Sequence, residues 1–208
     1  MKRWKWTQAI LLTTSMLLCA VQANAALITI QISGHVTSAS GIGLPDTIKA
    51  GEAFTGTYSY DSLTPNSDAR PNRGVYQQDE TYAINILLGG YEFKTTGGFS
   101  ITIWNNFTSS LGTSYDFYGI NGWGSALPDK QHCIIGWSLT DYNCQALSSN
   151  ALPNEAPNLD DWTSNRIQLS NPNVFLINGL VTEATLIPEP TSLLLLGVGF
   201  SLIRAIRN

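Results

Sequence analysis

Residues 26–187 of the 208-residue chain are expected to be all-β, forming a single antiparallel β-sandwich, Greek-key or jelly-roll-like. Three observations lead there. Apolar residues alternate with polar ones at a period of two in eight segments, the pattern of a strand with one wet face. Clusters rich in Gly, Pro, Asn and Asp separate those segments at the short intervals of an all-β domain. No ten-residue window in the range carries a convincing helical period.

The strands follow in order. Ile28, Ile30, Ile32 and Val36 alternate with Thr29, Gln31, Ser33 and His35, which predicts the first. Phe54-Gly56-Tyr58-Tyr60, Tyr82-Ile84-Ile86-Leu88 and Phe99-Ile101-Ile103 repeat the pattern. Further strands are expected around Tyr115–Ile120, Ile134–Leu139, Ile167-Leu169 and Val174–Leu186. Turns are expected at Gly41–Asp46, Thr64–Gly74, Gly89-Gly90, Thr95–Gly98, Gly122–Asp129 and Leu152–Asp161. A hairpin from Tyr82 to Lys94, turning at Gly89-Gly90, is the clearest local feature. Gly34-His35-Val36-Thr37 and Gly179-Leu180-Val181-Thr182 share a G-x-V-T pattern, which suggests similar sheet positions for the first and last strands.

Composition excludes several classes of function. The chain is 43% hydrophobic and 12% charged, about half the usual ~25% of charged residues. A coiled coil, a basic nucleic-acid binder and a disordered acidic tail are thereby ruled out. Residues 26–187 hold six basic and fourteen acidic side chains, a net charge of −8. Long-range attraction to nucleic acid or to an anionic lipid surface is not expected of such a domain.

Both ends read as targeting segments rather than fold. Lys2, Arg3 and Lys5 precede an apolar stretch from Ala9 to Val21, and Ala23-Asn24-Ala25 supplies small residues for a cut before Ala26. Residues 1–25 thus meet the physical requirements of a secretory signal peptide. The apolar run is short of the roughly 20 residues that span a bilayer. Leu18 stands before Cys19 where a lipidation site needs a small residue, so no lipoprotein is expected.

At the other end, residues 188–208 open with Pro188-Glu189-Pro190 and continue in an apolar run from Leu193 to Ile203, closed by Arg204 and Arg207. Each proline disfavours helix in the residue before it, so the leader is extended. A short transmembrane helix is expected over 191–206. It would cross a thinned bilayer with Arg204 snorkelling and both arginines on the cytoplasmic side.

This combination of Pro-Glu-Pro, a short Leu/Gly-rich span and terminal arginines, behind an N-terminal signal peptide, resembles the PEP-CTERM sorting signal of Gram-negative bacteria. The resemblance covers Pro188–Asn208, about a tenth of the chain. It implies recognition by an exosortase, a membrane-embedded cysteine protease-transpeptidase, near Pro188, Glu189 and Pro190. It further implies a secreted protein of the cell envelope or surface, often of exopolysaccharide-producing, biofilm-forming species. Phe54-Thr55-Gly56-Thr57-Tyr58-Ser59-Tyr60-Asp61 and Tyr76 resemble, more loosely, the small envelope β-sandwiches without assigned activity that precede such signals.

Export frames the reading of the remaining residues. With Cys19 in the signal peptide, Cys133 and Cys144 form an even pair in an oxidising compartment, and a disulfide is expected. Closing that loop would contribute roughly 3 kcal/mol on the chain-entropy reckoning. A metal site with His132 lacks soft ligands and C-x-x-C spacing, so no cofactor or metal is expected.

Catalytic motifs are missing. Gly136-Trp137-Ser138-Leu139-Thr140 fails the G-x-S-x-G pattern at its last position, and there is no P-loop, H-E-x-x-H or dinucleotide fingerprint. Aromatic residues are the better lead. Trp104 alternates out of phase with Ile101 and Ile103, and Trp123 lies in a Gly-rich turn. Exposed rings stack on sugars, with Asn105, Asn106, Asp116 and Asn121 near enough to supply hydrogen bonds, although buried core rings are the commoner fate.

Two functions follow as expectations. One is a non-catalytic structural or adhesive protein of the envelope, binding exopolysaccharide through Trp104 and Trp123. The other is a glycan-active enzyme on a sandwich scaffold, using acids such as Asp116 and Asp141.

Overall fold

The structure, a computed structural model, describes residues 27–126 and 131–188. Ten strands follow in chain order: β1 Leu27–Gly41, β2 Ala53–Asp61, β3 Arg73–Gln78, β4 Ile84–Leu88, β5 Tyr91–Thr95, β6 Phe99–Thr108, β7 Ser114–Ala126, β8 Gln131–Asp141, β9 Ser164–Asn171 and β10 Phe175–Ile187. Each expected segment is a strand, and the Gly89-Gly90 hairpin joins β4 to β5 with both glycines at positive φ. The unexpected strand is β3, at the edge of the turn cluster Thr64–Gly74. One 3₁₀ turn, Leu159–Asp161, interrupts the long connection from β8 to β9.

The sandwich expectation is corrected by the pairing. Eight strands close on themselves in the order β1-β2-β4-β5-β7-β8-β9-β10, each antiparallel to its neighbours, with β10 returning to β1. The domain is an antiparallel β-barrel. Period-two alternation puts one face of every strand in the core of a sandwich or a barrel alike. What separates the two is whether the sheet closes.

Closure happens at two places. At the first, β1 and β10 pair from Thr29↔Ile187 to Gly41↔Phe175, and the two G-x-V-T segments face each other there, Gly34 opposite Val181 and Val36 opposite Gly179. They are neighbours in the sheet rather than equivalents in a repeat. At the second, β7 carries β8 along one edge and both β5 and β6 along the other. Lys94 and Thr95 of β5 pair near its C-terminal end, and β6 takes over from Asn121 back to Ser114. With β3 on its outer edge, β6 leaves the ring as a two-stranded flap.

The barrel interior is filled. Ile30, Tyr58, Ile86, Phe93, Trp137 and Leu139 are among the fully buried side chains. Eight strands leave an interior just wide enough for side chains to fill. The polar atoms of the large inward rings are partnered: the Tyr58 and Tyr118 hydroxyls meet at 3.0 Å, and Trp137 Nε1 donates to Asn165 Oδ1 at 2.9 Å. Burial, aided by their mutual contact, raises the Tyr58 hydroxyl pKa far above its ordinary value, and burial raises that of Tyr118, so both stay neutral. Outward positions such as Thr29, Gln31, Thr55 and Thr57 are polar. That is the inverse of the apolar-out alternation of a membrane-spanning barrel.

The connection 142–163 covers the inner side of the flap. Leu147, Leu152, Leu159 and Trp162 pack on the core, Tyr76 Oη donates to Asn150 O at 2.8 Å, and Tyr60 Oη donates to Pro153 O at 2.7 Å. Trp162 is therefore a packing residue.

The expected disulfide is also corrected: Cys133 and Cys144 are free thiols. The segment between them, read as a loop to be closed, is for most of its length the straight strand β8. From Cys133 to the end of β8 at Asp141 the chain advances about 26 Å at ~3.3 Å per residue. A disulfide needs Cα atoms within about 7 Å. Cys133 points into the core near one end of the strand, where burial pushes its thiol up to about 11.

Among the described residues no helix is long and apolar enough to cross a membrane. The expected span 191–206, with Glu189, Pro190, Arg204 and Arg207, lies outside the described residues, as does the signal peptide 1–25. Pro188, the last described residue, is exposed.

Candidate functional site

Side chains of the described residues fill the barrel, so a site is sought on its outside, where β6, β7, β8 and β9, with β3 at the rim, set one concavity. It is a groove of about 470 Å³. Alternation supplies its walls and floor. On β7, Tyr118 and Ile120 point inward, so Phe117, Gly119, Asn121 and Trp123 face out. On β8, Ile135, Trp137 and Leu139 point inward, so Ile134, Gly136 and Ser138 face out.

Two of those outward positions are glycine, and they form the floor. Gly119 sits against the Phe117 ring, where a Cβ would lie 2.6 Å from two ring carbons. Gly136 is different: a Cβ there would meet nothing nearer than Ile120 O at 3.5 Å, an ordinary contact. Its bare surface is open space that a larger side chain would fill.

One wall is aromatic. Trp104 of β6 lies in register with Phe117 of β7, their ring centroids 4.9 Å apart. Phe107 and Tyr115 complete the cluster at 4.7 and 5.6 Å from Trp104. The guanidinium of Arg73, directly across from Trp104 on β3, stands 5.3 Å from its ring centroid, a cation–π contact. Trp104 Nε1 and Arg73 Nε are buried donors without an aligned hydrogen-bond partner among the described residues. Arg73 Nε still has Asp68 Oδ2 at 3.3 Å as a charge partner, whereas the unpaired indole N–H of Trp104 costs about 1–3 kcal/mol.

The opposite wall is β9, with Arg166 and Gln168. Arg166 is exposed and gives Nε and Nη2 to Asn178 Oδ1 at 3.0 and 2.5 Å, which fixes its fork without neutralising it. Arg73 shares Asp68 with Arg70, at 3.3 and 2.7 Å. Hydrogen bonds from Arg70 hold the Asp68 carboxyl well below the usual carboxylate range, so one negative charge stands between two guanidinium groups. Among the described residues no acid lines the groove.

Of the two tryptophans singled out in the sequence, Trp104 therefore lines the groove. Trp123 is 60% exposed on the same outer face of β7, beyond Asn121 and opposite Ile134. Asn121 also lines the groove, whereas Asn106 occupies the β6 bulge at φ 52° and spends its side chain on Asn105.

Asp116 and Asp141 are brought together but not into the groove. They face each other across β7 and β8 and are fully buried. Asp116 accepts from the backbone N–H of Asn106 at 2.7 Å and of Leu147 at 2.9 Å, and Asp141 accepts from Asn143 at 2.9 Å and Gln145 at 2.8 Å. These carboxylates pin the β6 bulge and the start of the 142–163 connection. Burial alone would raise the Asp141 pKa, but the surrounding backbone N–H groups outweigh it and hold the pKa below the ordinary value.

That lowering has a consequence for stability. A folded pKa below the unfolded value of about 3.9 contributes stability at any pH above that value, and the contribution is lost as pH falls through the folded pKa. Asp141→Asn is expected to unfold at lower denaturant than the parent near pH 7. The two should converge below about pH 4. Urea midpoints measured from pH 7 down to pH 2 check this.

Sequence reasoning missed Gly119, Gly136, Arg73 and Arg166. The signal for the glycines was present, as small residues at the outward positions of otherwise apolar strands. Compared with models of protein families, with curated proteins and with solved structures, the chain matches none.

Proposed function

We propose that residues 26–187 are the folded, non-catalytic part of an exported cell-envelope protein, and that the outer groove holds a polysaccharide of the surrounding matrix. Delivery follows the reading of the two ends, with a signal peptide over 1–25 and a PEP-CTERM-like signal from Pro188 onward that an exosortase recognises.

One observation carries the binding reading: an open groove with a bare glycine floor at Gly136 and a wall of packed rings around Trp104. Sugar rings present apolar C–H faces and hydroxyl edges. A flat floor and an aromatic wall accept the faces, while Asn121, Ser138 and Gln168 are placed to bond the edges. A non-catalytic role is supported by the acids. Asp116 and Asp141 are already committed to backbone donors and lie on the inner side of the sheet.

Binding of the full chain to exopolysaccharide from the producing cells, read by calorimetry or tryptophan emission, tests the proposal. Trp104→Ala is expected to weaken binding at least tenfold, on the scale of a lost stacking ring. Gly136→Val should abolish binding by filling the floor, with the unfolding midpoint unchanged. Full affinity in both variants would remove the groove from consideration, and release of new reducing ends would overturn the non-catalytic reading.

A further inference from the structure

We propose that the groove selects an acidic glycan, one whose sugars carry carboxylates, and that Arg166 is the residue that reads the charge. This deepens the polysaccharide reading and rests on it.

The charge distribution is the starting point. Among the described residues the basic side chains are Lys49, Arg70, Arg73, Lys94 and Arg166, against thirteen acids spread over the rest of the surface and interior. Two of those five line the groove, and no acid does. On a domain this acidic, a groove lined by two arginines, of which Arg73 is paired with Asp68 behind it and Arg166 with no acid within 4 Å among the described residues, is a local positive site at its β9 end. A neutral glycan has no use for that charge. A densely charged polyanion would be repelled by the remainder of the surface, whereas a sugar chain with spaced carboxylates places its charge only where the groove is positive.

The two arginines are placed differently. Arg166 is exposed, is held by Asn178 through Nε and Nη2, and forms no ion pair within 4 Å among the described residues. With its Nε/Nη2 edge spent on Asn178, the guanidinium is fixed so that its Nη1/Nη2 end is left to meet a carboxylate with two parallel bonds. Arg73 lies on the Trp104 ring with Asp68 behind it. Its Nε is held toward Asp68, while Trp104 Nε1 is buried without an acceptor among the described residues. A sugar oxygen entering beside the indole would supply one.

Register sets the span. Arg73 stands on β3 in the row of Trp104 and Phe117, and Arg166 stands on β9 in the next outward row, that of Ser138, Gly119 and Thr102. Four strand spacings of ~4.8 Å separate them, about 19 Å along the sheet. The groove therefore runs across the strands and contacts several consecutive sugars, with charge recognition at the β9 end and stacking at the β6 end.

The test uses the full chain and oligosaccharides of galacturonate, mannuronate and glucuronate, each beside the same oligomer with its carboxyls reduced to alcohols. At least one acidic oligomer is expected to bind ten times or more tighter than its reduced counterpart. Arg166→Gln should remove that preference, so that acidic and reduced oligomers bind alike, and Arg166→Lys should restore only part of it. Equal binding of both forms, or a preference that survives Arg166→Gln, overturns acidic selection and leaves the polysaccharide reading intact. Equally tight binding of a single-stranded DNA oligonucleotide would make the groove a general polyanion site and overturn carboxylate recognition. No binding of any acidic or reduced oligomer overturns this inference; if the exopolysaccharide of the producing cells also fails to bind, the polysaccharide reading falls with it.

Discussion

Replacing Trp137 by alanine is expected to destabilise the barrel by about 3–5 kcal/mol, the range for deleting a large buried aromatic side chain. Trp137 is 1% exposed and packs edge-on against both Tyr58 and Tyr118, with centroids 6.0 and 6.2 Å away. Backbone closure on all sides prevents the space from collapsing, so the loss should fall near the upper end. Removing Nε1 also strips Asn165 Oδ1 of its donor, although Asn165 Nδ2 keeps its bond to Val181 O at 2.7 Å. Trp137→Phe separates the two effects by keeping most of the packing and losing the hydrogen bond. It is expected to cost about 1–3 kcal/mol. Urea unfolding followed by far-UV circular dichroism checks both. A domain of typical stability, about 5–15 kcal/mol, would keep little margin in the alanine variant.

The second large effect is expected at the seam. A Cβ at Gly34 would run into the carbonyl oxygen of Leu180, and would lie 2.6 Å from the Phe54 ring and 2.9 Å from Val181 Cα. Two of these three obstacles are backbone of β10, which cannot swing aside as a side chain can. Gly34→Ala should therefore reach or exceed the top of the ~1–3 kcal/mol range for overpacking, although it adds one methyl. Gly136→Ala, equally on a strand but facing open space, is the internal control and should be neutral. Thermal midpoints of the two variants, measured side by side, decide it.

The same glycine shows how much of the fold was legible. The inward and outward faces of β1 could be read directly, since Ile28, Ile30 and Ile32 are buried and Thr29, Gln31 and Ser33 are not. Each strand carried its own alternation, and the Gly89-Gly90 turn fixed one hairpin. Closure was not legible, because the β1–β10 ladder joins residues from opposite ends of the domain and no local pattern encodes a partner so distant. Strand β3 was hidden for a different reason. Arg-Gly-Val-Tyr-Gln-Gln alternates weakly and adjoins a turn-rich loop, and it is held as a strand by pairing with Phe99–Trp104.

For the groove, Trp104 was visible as an outward ring on an otherwise apolar strand. Its companions come from β3, β7, β8 and β9, and only the register of those strands puts Arg73, Gly119, Gly136 and Arg166 on one surface. Register misled in the other direction for Asp116 and Asp141. As residue types they suited acid chemistry, but each lies at an inward position where backbone N–H groups have already claimed its oxygens. The cysteines failed on geometry. Their spacing suited a loop, and a strand occupied it.

The pairing of Thr29 with Ile187 places the first and last strands of the domain side by side where the chain enters and leaves the barrel. Directly opposed residues in an antiparallel ladder lie about 4.5–5.5 Å apart at Cα. A linker of a few residues could therefore join Ile187 to Leu27, and new ends could be cut after Gly90, the exposed residue of the β4–β5 turn, without removing a strand from the ring. Which strand comes first in the polypeptide is then incidental to the architecture. A circularly permuted domain should assemble the same cylinder and present the same groove.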